Sequence, residues 1–143
     1  MEILIPVNYW AVLVCGVAAM VLGSFWYGPL FGKVWMKWSG ITEKDIKETQ
    51  KQGMVWRYIL NFVGSLAMAY ILAHFLEYTT SVTIKYGLIT SFWLWLGFIA
   101  PISLGGVLWE NKPFKLYFLN NAYNLIILMV MSAILISWPV VVA

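Results

Sequence analysis

The side chains in this sequence that could do chemistry are few, and the densest group of them is made of amides. Asn120, Asn121 and Asn124 fall within five residues of one another inside an apolar run, and Asn61 and Ser65 stand one helical turn apart in an earlier run. An amide offers two donors and a carbonyl acceptor, so amides converging on one space suit a small polar solute or an ion. Equally, they can tie helix to helix. On a helix Asn120 and Asn124 share a face, and Asn121 sits about 100° round from Asn120. Two titratable pairs stand beside them. Arg57 and Glu110 both fall at the same end of their runs, where a pair would close a mouth or simply pin two helices. His74 and Glu77, three apart at the other end, share a face. A histidine beside a carboxylate titrates in the physiological range; the plainer reading is an interfacial histidine facing headgroups and water.

The chemistry that is missing narrows the function. The sequence shows no Cys/His/Asp/Glu cluster at metal-ligand spacing, no Gly-x-Ser-x-Gly and no phosphate-binding glycine loop. No catalytic, cofactor-binding or metal residues are therefore assigned, no cofactor is expected, and the protein is read as a non-enzyme. No acidic residue falls in the middle of an apolar run, where a proton-coupled antiporter would place one. Cys15 is the one cysteine; it excludes a disulfide within the chain and reads as a small packing residue.

Composition sets the class of the elements that must position these side chains. Of 143 residues, 62% are hydrophobic and 10% charged, against roughly a quarter charged in soluble domains. The net charge of +3 contains no basic cluster dense enough for a phosphate track, so nucleic acid is excluded as a partner. Four apolar runs, at about 9–27, 56–76, 86–108 and 116–138, each approach the ~20 residues that cross the hydrocarbon. The fold class is all-α: a polytopic membrane bundle of four transmembrane helices in a single domain, 1–143, with a short cytoplasmic helix between the first two spans. The N-terminus lacks a basic n-region, so the first run is read as a mature helix and not a signal peptide. Lys33, Lys37, Lys44, Lys47, Lys51 and Arg57 flank the first connection, Lys112 and Lys115 the third, and Lys85 alone the opposite side. By the positive-inside rule, 28–55 and 109–115 are cytoplasmic and both termini are outside.

Within the runs, Ala11, Cys15, Ala19 and Gly23 make a small-residue stripe of the kind that lets helix backbones approach closely. Asn61, Ser65, Ala69 and Ala73 make a second. Pro29 should end the first span. Phe31, Val34, Trp35 and Trp38 then recur at helical spacing with Lys33 and Lys37 off their face, which predicts a short interfacial helix; an aromatic belt without a helix is the alternative. Thr42 can cap a helix over Glu43–Gln52, closed by Gly53. Pro101, flanked by Gly97 and Gly105, should kink the third span, with Ser91 and Ser103 near to satisfy freed backbone. Trp93 and Trp95, in the middle of that span, need partners for their indole N–H groups.

The stretch Gly23-Ser24-Phe25-Trp26, with Pro29, Phe31 and Lys33 after it, can be laid over Gly106-Val107-Leu108-Trp109 with Pro113-Phe114-Lys115, and Tyr58-Ile59-Leu60-Asn61 over Tyr117-Phe118-Leu119-Asn120. This suggests a tandem two-hairpin repeat with Asn61 and Asn120 at equivalent depth. The run Trp26-Tyr27-Gly28-Pro29-Leu30-Phe31-Gly32-Lys33-Val34-Trp35, then Gly97-Phe98, Glu110-Asn111-Lys112-Pro113 and Leu119-Asn120-Asn121-Ala122-Tyr123, resembles a family of small bacterial membrane proteins, domain of unknown function 1761, over nearly the whole chain. The resemblance implies four transmembrane helices in a prokaryotic cell (inner) membrane and supplies no activity. Family members often carry a histidine where this chain has Asn124, so no proton-handling role carries over to that position.

Two functions compete on these grounds. One is a homo-oligomeric membrane protein that binds or passes a small polar solute or ion through an inner cavity lined by Asn61, Ser65, Asn120, Asn121 and Asn124. The other is a structural or partner-binding membrane protein whose contact surface is the interfacial segment and the Glu43–Gln52 helix. The expected partners are the lipid bilayer and further copies of the chain.

Overall fold

The computed structural model describes residues 7–140, and these are helical throughout, with no strand among them. The first helix, α1 (Tyr9–Phe25), starts where the Asn8 side chain accepts from the N–H groups of Trp10 and Ala11, which satisfies two of the donors a helix start leaves free. α1 runs on into a π-helical turn, Trp26–Leu30, whose break lies at Gly28 (φ −109°, ψ −107°), one residue before Pro29. The chain then forms α2 (Gly32–Ser39), closed by Gly40 in the left-handed conformation (φ 74°), and α3 (Glu43–Lys51), which Gln52 and Gly53 follow. A short helix over the aromatic segment and the short charged helix thus both form. α4 (Val55–Tyr78) is the second long helix.

α5 (Ile84–Leu94), capped by the Thr83 hydroxyl, passes into a second π-helical turn, Trp95–Ile99. Two short helices, α6 (Ala100–Ser103) and α7 (Gly105–Leu108), finish that span. The π turn ends two residues before Pro101, which has no N–H to continue the ladder, and a turn at Leu104 separates α6 from α7. α8 (Phe114–Ser137) closes the fold. Four stretches are long and apolar enough to cross a bilayer: Tyr9–Leu30, Val55–Tyr78, Ile84–Leu108 and Phe114–Ser137. Their ends lie within three residues of the runs in the sequence, the largest difference being Leu30 against position 27.

The helices pair as two hairpins, α1 with α4 and α5 with α8, and the hairpins join mainly through α1 against α8. α4 touches α5 only lightly. The joint is built from small residues. Ala11, Cys15 and Ala19 are buried, and the Cys15 thiol meets the Met131 carbonyl at 3.6 Å. Across the second hairpin Gly87 lets α8 so close that a Cβ there would lie 2.2 Å from Ile136 Cδ1. Ser91 donates to the Leu128 carbonyl at 3.1 Å and also bonds Ser132, both serines being fully buried. Between lipid-soluble surfaces the hydrophobic effect gives little drive, so close contact and hydrogen bonds of this kind hold the helices together.

The repeat is visible only in outline. Each hairpin opens with a helix that carries a π turn, yet Trp26 comes 17 residues after Tyr9 and Trp95 only 11 after Ile84. Asn61 is exposed and Asn120 half-buried, so the residues that the repeat makes equivalent are not equivalent in the fold.

α3 shows how local chemistry makes a helix without burial. Thr42 and Asp45 form a capping box: Asp45 Oδ2 accepts from Thr42 N–H at 2.9 Å, and Thr42 Oγ1 accepts from Asp45 N–H at 3.2 Å. Those bonds, the backbone one first, hold the Asp45 carboxyl below its ordinary value of 3.8. A group lowered in the folded state contributes stability above its ordinary value and loses it as pH falls through the folded one. The helical NMR shifts of 43–51 in the detergent-solubilised protein should therefore hold steady from pH 8 to about 5 and decline only below about 4; a decline centred near neutral pH would contradict the box as the source of this helix.

Candidate functional site

The amide-bearing start of α8 lies against the π turn of the first span, and the two build one cluster. Tyr27, inside that turn, donates from its hydroxyl to Asn120 Oδ1 at 2.9 Å. Its ring packs edge-on against Tyr123 (5.2 Å between centroids) and Trp35 (5.8 Å). Trp26 packs on Phe31 and Tyr123. Tyr123 in turn donates to the Ala19 carbonyl at 3.1 Å, where Gly23 leaves room: a Cβ there would meet Tyr123 Oη at 3.0 Å. Gly32 is required for a different reason. A Cβ at Gly32 would lie 2.7 Å from the Tyr27 carbonyl oxygen, which is backbone and cannot move aside.

The amides do not share one cavity. Asn121 is 2% exposed and fully engaged: its Nδ2 donates to Ser103 Oγ (2.9 Å) and the Tyr117 carbonyl (3.0 Å), and its Oδ1 accepts from Ser103 Oγ (3.1 Å). It fastens α8 to α6. Asn120 faces Tyr27. Asn124 is half-buried and its side chain makes no hydrogen bond within the described residues. Asn61 is the correction. It was expected to turn inward, and it is instead exposed, with Nδ2 3.3 Å from Met20 Sδ. Ser65 is buried but donates to the Asn61 carbonyl of its own helix. The small stripe of α4 thus packs at Ser65, Ala69 and Ala73 and ends before Asn61.

The titratable pairs also separate. Arg57 does not pair with Glu110. Its Nη2 donates to Gln52 Oε1 at 3.3 Å and its guanidinium lies 4.7 Å over the Trp56 ring, while Glu110 is exposed. A planar guanidinium stacks well on indole, and α4 makes no notable contact with α7 that would bring the two together. His74 does not bond Glu77 either: Nδ1 donates to the Tyr70 carbonyl at 2.9 Å and the ring packs on Tyr70. Glu77 instead borders a cavity of about 230 Å³ with Asn8, Ser81 and Trp138.

What sequence reasoning passed over were the tyrosines and the π turns. Tyr117 donates to the Ala100 carbonyl at 2.9 Å, directly at the Pro101 break. The indole N–H groups of Trp26 and Trp95, the first residue of each π turn, are buried without a protein acceptor. The signal available was the heptad-like return of Tyr117, Asn121 and Asn124 on one side of α8, next to Tyr123.

Arrangement and length define a four-span helical membrane bundle. A family profile described as protein of unknown function (DUF1761) matches residues 10–136, and the chain belongs to that family. No curated protein and no solved structure matches it.

If the Tyr27–Asn120 bond joins the π turn to α8, a double-mutant cycle with Tyr27→Phe and Asn120→Ala should show a coupling of about 0.6 kcal/mol, and at most about 1.7. Reversible unfolding in mixed micelles measures it; strictly additive single effects would mean that the two helices are held elsewhere.

Proposed function

We propose that this is a non-enzymatic multi-pass membrane protein that works through contacts, presenting α2 and α3 to a partner, in a prokaryotic inner membrane with the lysine-rich end in the cytoplasm and both termini outside. The observation that carries this reading is the difference between the two polar regions. The amide Asn121 and the serines inside the bundle are committed to neighbouring helices. α3 has no buried residue and carries Glu43, Lys44, Lys47, Glu48 and Lys51 toward solvent. A partner that is a second copy of the chain has a surface available as well, since the light contact of α4 with α5 leaves an apolar groove lined by Ile71, Phe75, Leu94 and Phe98 over Leu128.

The solute-passing reading keeps one supporting observation: the Asn124 amide, half-buried next to the Tyr27–Asn120–Tyr123 cluster, makes no side-chain bond. Two measurements on the intact chain separate the readings. Reconstituted in liposomes, it should pass potassium, protons and glycerol no faster than protein-free vesicles, and a photocrosslinking residue at Glu48 should give in cells a discrete product that the same residue at Tyr78 does not. Flux that Asn124→Ala abolishes in a folded bundle would return the solute reading.

Orientation has its own test. In a Cys15→Ala background, a cysteine at Val82, which is 80% exposed, should label from outside intact cells, and one at Lys44 only after permeabilisation. The opposite pattern would invert the topology.

A further inference from the structure

Where α2 meets α3 and the start of α4, the chain leaves a pocket of about 320 Å³, bordered by Trp35, Ile41, Ile46 and Thr49 and by two charged side chains, Asp45 and Arg57. This volume falls in the range of small-ligand sites. The two charges face one space but do not bond each other. Asp45 binds Thr42 through Oδ2 alone, which leaves Oδ1 open. Arg57 gives one N–H of Nη2 to Gln52, and its Nη1 bonds no acceptor among the described residues. A guanidinium has five N–H donors in a fixed fork, and this one is under-used although half-buried.

Depth points to the ligand. Arg57 is the third residue of α4, whose 24 residues extend about 36 Å against a hydrocarbon core of about 30 Å. The pocket therefore opens at the headgroup level, beside the exposed interfacial indole of Trp56. Its apolar walls, Trp35, Ile41 and Ile46, suit a glycerol backbone and the first methylenes of acyl chains.

We infer that this pocket binds the zwitterionic headgroup of an amine-bearing phospholipid, the phosphate on Arg57 and the ammonium on Asp45. An anion alone would leave the Asp45 carboxylate facing like charge, and a cation alone would do the same at Arg57; a headgroup that carries both satisfies both. A primary ammonium can donate hydrogen bonds to Oδ1, and a quaternary one cannot. The inference goes beyond the proposed partner contact and does not depend on it, because α3 keeps its outer face free with the lipid in place.

The test is native mass spectrometry of the full chain in mild detergent, offered equal amounts of phosphatidylethanolamine, phosphatidylcholine and phosphatidylglycerol. One phosphatidylethanolamine should be retained in about tenfold preference. Arg57→Gln and Asp45→Gln should each remove that preference, whereas Lys44→Gln, on the same helix but outside the pocket, should leave it. Glutamine at 45 preserves the capping box with Thr42, and the NMR shifts of 43–51 verify that α3 is intact. Equal retention of the three lipids would overturn the inference, as would a preference that survives both glutamine variants or is lost equally with Lys44→Gln. Soluble phosphoethanolamine that competes at the lipid's own concentration would overturn the lipid as the source and place the ligand in solution.

Discussion

In a bilayer no water is at hand to serve a freed carbonyl, and this fold breaks two of its four spans. That constraint organises the rest. An intact helix satisfies its own backbone, so an apolar run of sufficient length is enough to cross. A π turn or a proline interrupts that ladder, and the stretch around it can gain from bonds to a neighbouring helix. Here the neighbour is α8. Tyr117 and Tyr123 reach from α8 to the carbonyls of Ala100 in α6 and Ala19 in α1, one in each irregular span, as further donors. Asn121 and Ser103 add a closed exchange of donors beside the Pro101 break. The Ala100 carbonyl accepts from the Leu104 N–H of its own stretch and takes the Tyr117 hydroxyl as a second donor. The polar residues at the start of α8 thus dock on both irregular spans.

This accounts for the close approach elsewhere. A tyrosine hydroxyl reaches a backbone carbonyl on another helix only if that helix presents no bulky side chain there. Gly23 clears the space for Tyr123, and Ala19 and Cys15 continue the cleared strip toward Met131. Gly87 and the Ser91–Ser132 pair do the equivalent for α5 against α8. Small residues and side-chain donors are two halves of one arrangement: the first bring the backbones near and the second use the nearness.

Much of this was legible in the chain. Run length alone placed the four spans, because hydrocarbon thickness sets a minimum that few other segments meet. The stripe Ala11, Cys15, Ala19 was readable because small residues at four-residue spacing have little other purpose on an apolar helix. Thr42 marked the start of α3 through local bonding. The directions of Asn61, Arg57 and His74 were not legible. The spans are apolar nearly all round, so periodicity does not fix how each helix is rotated, and an amide can point at a neighbour or away with the same sequence. Asn61 shares the face of Ser65 but lies beyond the end of its packed part, and Arg57 found an indole and a glutamine close by in the chain before any distant carboxylate.

The two tryptophans that open the π turns bear on why the irregularity persists. A buried donor left without an acceptor costs on the order of 1–3 kcal/mol, and both Trp26 and Trp95 carry one. Packing must offset this. The large ring at the first position of each π turn is packed: Trp26 rests on Phe31 and Tyr123, and Trp95 against Phe92 and the core around it. At the first turn the consequence reaches the surface. With Trp26 seated inward, Tyr27 is turned toward Asn120 and Trp35, and Trp35 is shared between that aromatic cluster and the pocket under α3. The interior of the bundle and its lysine-rich end thus meet through one indole and one phenol ring.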